Sequence, residues 1–184
     1  MIVIQNKYVG YIIAMLVLFN CTKPIDFNQA DALVLEPIVE SSLIFYNASA
    51  ADFFVGGSEQ STVEDFAEID FFGNGFFQDS LEKIDFVFQV ENSINRAYRL
   101  RVTFLDDNGQ LLETFDIVTE ASPNNQVIAT EHIITFEGDA LDSIKQTQIA
   151  EFSLTMLAGV PINENTPGEI DVKSKAVLFL NINL

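Results

Sequence analysis

Very few residues in this sequence could do chemistry. Cys21 is the only cysteine, His132 the only histidine, and tryptophan is absent. Cys21 follows an apolar run, Tyr8 to Phe19, and the single charge before that run is Lys7. A basic start, an apolar segment and a short cleavage region make a secretory signal. The run is shorter than the ~20 residues that a membrane-spanning helix needs. The reading is a signal peptide over residues 1–20, whose removal leaves Cys21 at a new N-terminus. A buried core helix that happens to end in cysteine would leave the agreement of charge, length and cysteine position unexplained. One cysteine also allows no internal disulfide, although an exported compartment would permit one.

The remaining candidates are weaker. A general base needs a nucleophile and an orienting partner, and a transition-metal site needs several nitrogen or sulfur donors. His132 has the sequence signature of neither and reads as structural or solvent-facing, on the strand face shared with Ile128, Ile134 and Phe136. Asp106-Asp107-Asn108-Gly109 with Glu113 has the ligand types of a calcium loop but not its spacing; it reads as a hairpin turn. Glu137, Asp139 and Asp142 could meet a cation, or could simply complement the positive end of a short helix. Gly-x-Ser-x-Gly, phosphate-loop and HExxH patterns are absent. The expectation is a protein without catalytic residues, metal ligands or cofactor, and not an enzyme.

The elements that position these residues follow from periodicity. Ile84, Phe86, Phe88 and Val90 alternate with polar neighbours, as do Tyr98, Leu100, Val102 and Phe104. Period two with aromatic and β-branched residues marks half-buried strands. Further strands are expected over Leu33–Tyr46, Thr62–Phe72, Leu111–Val118, Val127–Phe136, Ala150–Leu157 and Glu169–Asn183. Pro37 implies an edge position or a break. Asn47 is expected to cap a short helix, Ala48–Phe54, and Phe76–Leu81 to form one helical turn. Seven or eight strands with short turns predict an all-β fold, an antiparallel β-sandwich of immunoglobulin-like architecture with one or two short helices. Consecutive strands are expected to pair as hairpins, with Gly138–Thr147 crossing between the sheets. Phe86, Phe88, Leu100, Val102, Phe104, Phe152, Leu154, Leu178 and Leu180 form the expected core. The domain division is a signal peptide at 1–20, a tether at 21–31 and the β-sandwich at 32–184.

Charge narrows the functions. The 184-residue chain has a formal net charge of −18, and losing Lys7 makes the mature chain one unit more negative. Nucleic-acid binders are basic, so that class is excluded, and anionic headgroups would not attract this surface. Between Asp52 and Phe77 the alternation fails while phenylalanine, acid and glycine accumulate. Large apolar side chains that fit no pattern are candidates for a partner-binding patch. Phe54, Phe66, Phe72 and Phe77 are the expected contributors, the alternative being that all four cover the open end of the sandwich.

Leu18-Phe19-Asn20-Cys21 resembles the cleavage box of bacterial lipoprotein precursors at its leucine and cysteine, with Phe19 and Asn20 where small residues are usual. That resemblance implies lipidation: Cys21 takes a diacylglycerol on its thiol and an acyl chain on its freed amine. One chain anchors only marginally, and two or three hold a domain on a membrane. Ile25-Asp26-Phe27-Asn28-Gln29-Ala30 and Leu43-Ile44-Phe45-Tyr46 followed by Ala51-Asp52-Phe53-Phe54 extend the likeness. With them the precursor resembles small, acidic, single-domain β-sandwich lipoproteins of flavobacterial (Bacteroidota) type. The resemblance implies the outer membrane. Thr22-Lys23-Pro24-Ile25 lacks the acidic residues that direct such proteins outward, which favours the periplasmic face. The expected role is a non-enzymatic binding or scaffolding module for another cell-envelope protein. The alternative is a glycan- or small-ligand-binding lipoprotein, for which Tyr46 and Tyr98 are the only tyrosines of the mature chain.

Overall fold

Strict alternation becomes strand wherever it occurs. The structure, a computed structural model, describes residues 34–183. The signal, the tether and Cys21 lie outside them. Eight principal strands follow in chain order: β1 (Ile38–Ser49), β2 (Thr62–Glu68), β3 (Leu81–Asn92), β4 (Tyr98–Leu105), β5 (Leu111–Thr119), β6 (Ile128–Glu137), β7 (Ile149–Met156) and β8 (Glu169–Leu180). Two short helices, α1 (Gly75–Ser80) and α2 (Gly138–Ile144), lie between strands. All of these belong to one compact unit, Leu35–Ile182.

One sheet has the order β1-β8-β3-β6 and the other β2-β7-β4-β5, with antiparallel pairing throughout both. The expected antiparallel β-sandwich is therefore present. Its connectivity is that of a jelly roll, two Greek keys folded together. Of these eight strands only β4 and β5 pair as a consecutive hairpin, and every other connection between them crosses to the opposite sheet; a minor hairpin pairs Phe54–Val55 with Ser58–Glu59. The expectation of hairpins between consecutive strands is corrected here. Alternation fixes which face of a strand is buried, and says nothing about which strand lies beside it. The expected crossing through Gly138–Thr147 is made by α2.

All nine expected core residues are buried, with Phe86, Phe88, Val102 and Phe104 fully inaccessible. Phe86 packs on Phe104 at 4.8 Å between centroids, and Phe136 meets both edge-on at 5.9 and 6.4 Å. Burying a phenylalanine contributes roughly 1.5–3 kcal/mol, so this cluster holds the two sheets together.

Departures from expectation occur where polar side chains redirect the backbone. Asn47 caps no helix: its Nδ2 donates across the sheet to Asp171 at 2.8 Å and Glu169 at 3.3 Å. β1 instead runs on to Ser49, whose N–H and hydroxyl both donate to Asp52 Oδ2 at 2.8 Å. That bends the chain into a 3-10 turn, Ala50–Phe53. β2 stops at Glu68, short of the expected Phe72, and a second 3-10 turn forms over Phe71–Gly73. Asn74 then caps α1 by accepting from Phe76 N at 2.9 Å.

Candidate functional site

The jelly roll has two loop-bearing ends and two long edges, and its chemically distinctive residues divide among them. At one end lie the loops after β1, β3, β5 and β7. Fully buried Asn92 donates to the carbonyls of Arg96 and Glu120 at 2.7 Å and accepts from Ile94 N at 2.9 Å. The buried Arg96 guanidinium donates to the Leu157 and Val160 carbonyls and faces the Glu59 carboxylate at 3.4 Å. Glu59 in turn accepts from Ile162 N at 2.7 Å. Gly168 has φ +107°, and a Cβ there would lie 2.5 Å from Ser93 O, so only glycine fits. Burial demands such satisfaction, since an unpaired buried charge is costly. The donors of this network are spent on holding loops together. Its residues are too far apart in sequence for spacing to have suggested them.

The acidic candidates at the opposite end are structural. Asp106 Oδ1 accepts from Asn108 N at 2.9 Å and Gln110 N at 2.7 Å, and Gly109 sits at φ +72°. This is the self-capped hairpin turn between β4 and β5. Glu137, Asp139 and Asp142 are exposed around the start of α2. Among the described residues no group of three His, Cys, Asp or Glu side chains could hold a metal ion. His132 is exposed on β6, its ring 6.3 Å from Phe115.

The tyrosines do not form a sugar platform. Tyr98 is fully buried against Phe53 at 5.0 Å, and its hydroxyl has no partner among the described residues. Burial pushes that hydroxyl far above its ordinary pKa, as does the Glu59 charge, against an opposing effect of Arg96. Tyr46 is half-buried, and burial, then the Asp52 and Asp65 carboxylates, raise its pKa as well. Both phenols stay neutral, unsuited to base or nucleophile chemistry.

The four phenylalanines separate. Phe72 is in the core at 1% exposure, so it cannot belong to an exposed patch. Phe54 and Phe77 are half-buried, and Phe77 packs against Phe71 and Phe76 at 6.3 and 5.4 Å. Phe66 is 64% exposed in the middle of β2. The structure adds Phe45, 68% exposed on β1. In sequence Leu43-Ile44-Phe45-Tyr46 reads as a uniformly apolar run, and only the alternation around Ile44 and Tyr46 marks Phe45 as outward.

Phe45 and Phe66 flank the same edge. β1 and β2 are terminal strands of their sheets, and residues of both, Ile44 and Tyr46 from β1 and Val63, Glu64 and Asp65 from β2, line a small cavity of about 20 Å³ together with Phe152 and Leu154. That volume has room for about one water. On the β1 side, Ile44 pairs with Ser174 and Ser42 with Lys175, so Leu43 is an unpaired bulge. Beside it a shallow depression of about 470 Å³ is lined by Phe45, Val87, Gln89, Lys173 and Lys175. On the β2 side, Ile69 N donates to Gln148 O at 2.8 Å and Met156 N to Ser61 O at 2.7 Å. These bonds fix the phase of the antiparallel ladder. Odd-numbered residues of β2 bond to β7, and Thr62, Glu64, Phe66 and Glu68 turn their N–H and C=O groups outward.

No family model matches the chain, and no curated protein matches it. Solved structures do. A subviral particle of VP2 from infectious bursal disease virus superimposes with a TM-score of 0.51 at 10% identity, over 79% of this chain and 33% of that one. T=1 particles derived from the same virus give 0.46 at 6% identity, over 78% and 31%. A structure described as "CBM4 structure and function" gives 0.34 at 8%, over 64% and 60%. The chain thus spans about a third of the capsid chain, and at such identity the first likeness shows the jelly-roll fold alone.

Proposed function

We propose that this protein is a lipid-anchored, non-enzymatic binding module of the bacterial cell envelope. Cys21 carries the acyl chains and holds it at the outer membrane, facing the periplasm, and the β1/β2 edge contacts another envelope protein. The observation that carries this reading is the pair of exposed phenylalanines, Phe45 at 68% and Phe66 at 64%, one on either side of that edge. Phenylalanine is enriched at interfaces, and each of these rings stands on a terminal strand of its sheet. Glu40 on β1, Asp52 just beyond it and Glu64, Asp65 and Glu68 on β2 keep this edge soluble.

The test has two arms. Cys21→Ala should release the protein from membranes and leave it unacylated by mass analysis; an unmodified Cys21 in the native protein overturns the anchor. A photo-crosslinker at position 45 or 66 should trap one discrete envelope protein, and one at Thr103 should not. Equal trapping at all three positions overturns the edge as a partner surface.

A further inference from the structure

We infer that the free edge of β2 accepts an extended, basic segment of the partner as an added strand, with a basic, apolar, basic series of alternate side chains opposite Glu64, Phe66 and Glu68. This rests on the binding-module reading and names the chemistry of the partner.

Among the described residues four strands have a free edge, and three of these are blunted. β1 is interrupted by the Leu43 bulge. β5 has a register shift near Leu111, beside its turn from β4. β6 is regular, but its inner side is closed against β5 by the Phe115–His132 contact and by Thr130 Oγ1, 3.4 Å from Thr119 Oγ1. A bulge or a covered flank is how sheets prevent edge pairing. β2 pairs with β7 over all seven residues without a shift. Beside it lies the small apolar cavity lined in part by Ile44, Tyr46 and Val63. The outward face of an added strand would meet Phe66. Among the outward N–H groups of β2, that of Phe66 is held at 2.8 Å by the Asp65 carboxylate. The carboxylate stands where an incoming strand would present a carbonyl, and it is displaced without breaking any bond to β7.

Charge selects the occupant. Residues 62–68 contain Glu64, Asp65 and Glu68 and no basic residue. Like charges directly opposite across a strand pair are destabilising and opposite charges favourable. In a second copy paired antiparallel, the register that sets Phe66 against Phe66 sets Glu64 against Glu68. The carboxylates that repel another copy of this chain attract a basic strand. Such strand addition takes affinity from main-chain bonds and specificity from alternate side chains.

The test uses the full chain in detergent and a short blocked peptide with lysine-valine-leucine-valine-lysine at its centre, read by fluorescence anisotropy. The peptide should bind saturably, and its glutamate counterpart should not. N-methylation of the set of peptide nitrogens that faces β2 should weaken binding by about tenfold or more, the worth of one or two hydrogen bonds, and methylation of the other set should not. On the protein, Glu64→Pro removes an outward N–H that an edge strand can spare, and should weaken binding well beyond Glu64→Gln, which removes the same charge. Equal effects of the two methylation patterns, or no saturable binding, overturn the inference. If that occurs while crosslinking through positions 45 and 66 persists, only the added strand falls. If both fail, the binding-module reading falls with it.

Discussion

Along the edge where β5 meets β6, half-buried Phe115 reaches Phe88, Phe104 and the exposed His132, with ring centroids 5.4 to 6.3 Å apart, and two threonine hydroxyls approach across the gap. Along the edge where β1 meets β2, the corresponding space is a small apolar cavity lined in part by the half-buried Tyr46, while Phe45 and Phe66 point outward. Both edges join the same two sheets. The difference teaches that the two edges are closed unequally: Phe115 reaches across to the opposite sheet, whereas beside Tyr46 a cavity remains and two further rings are left on the surface.

That contrast predicts its own breakage. Phe115→Ala should cost about 2–3 kcal/mol, somewhat less than the 3–5 kcal/mol of a fully buried phenylalanine such as Phe88. Phe66→Ser should lie within ~0.5 kcal/mol, the usual range for exposed positions. Urea midpoints of the three variants measure this directly. Comparable losses at Phe115 and Phe66 would mean that the β1/β2 edge is as much a part of the core as its opposite.

The same contrast explains what could be read in advance. Every strand from β3 onward was legible because its inward residues, such as Ile84, Phe86, Leu100 and Leu178, alternate with polar ones. Strand order was not, since a jelly roll separates consecutive strands by loops that periodicity does not describe. β2 was misjudged at its end because Ile69 and Phe72 are buried through a turn and not through a pleat. Phe66 was legible as a misfit in an acidic strand. Phe45 was hidden in an apolar run, and the Arg96–Glu59 pair joins residues 37 apart, beyond the reach of any local pattern.

Filling the open edge should strengthen it slightly. Val63→Ile adds one methylene beside a cavity of about 20 Å³. Burying a methylene contributes about 0.8 kcal/mol, so the melting midpoint should rise. A fall would show that the cavity cannot take the extra group without strain.

The smallest effect concerns the acids that border the two edges in one cross-strand row: Glu64 on β2, Ser153 on β7, Arg101 on β4 and Asp116 on β5. Asp116 is answered: Arg101 donates to its two oxygens at 2.8 and 3.0 Å, and Arg99 stands 3.6 Å away. The Arg101 hydrogen bonds hold its carboxyl below the ordinary value of 3.8, against an opposing effect of burial. Glu64 has no ion pair among the described residues. A carboxylate whose folded pKa is depressed stabilises the fold above its unfolded value, and that contribution is lost as pH falls through the folded one. Asp116→Asn should therefore be less stable than the parent at neutral pH, and the gap should close as the pH drops below 3.8. Being solvent-exposed, the pair should also weaken with salt. Glu64→Gln should show no such neutral-pH loss, since it removes a charge that nothing answers. If the two variants lost stability alike, the acidic β2 edge would already be paired within the fold and would have no unpaired charge to offer a basic strand.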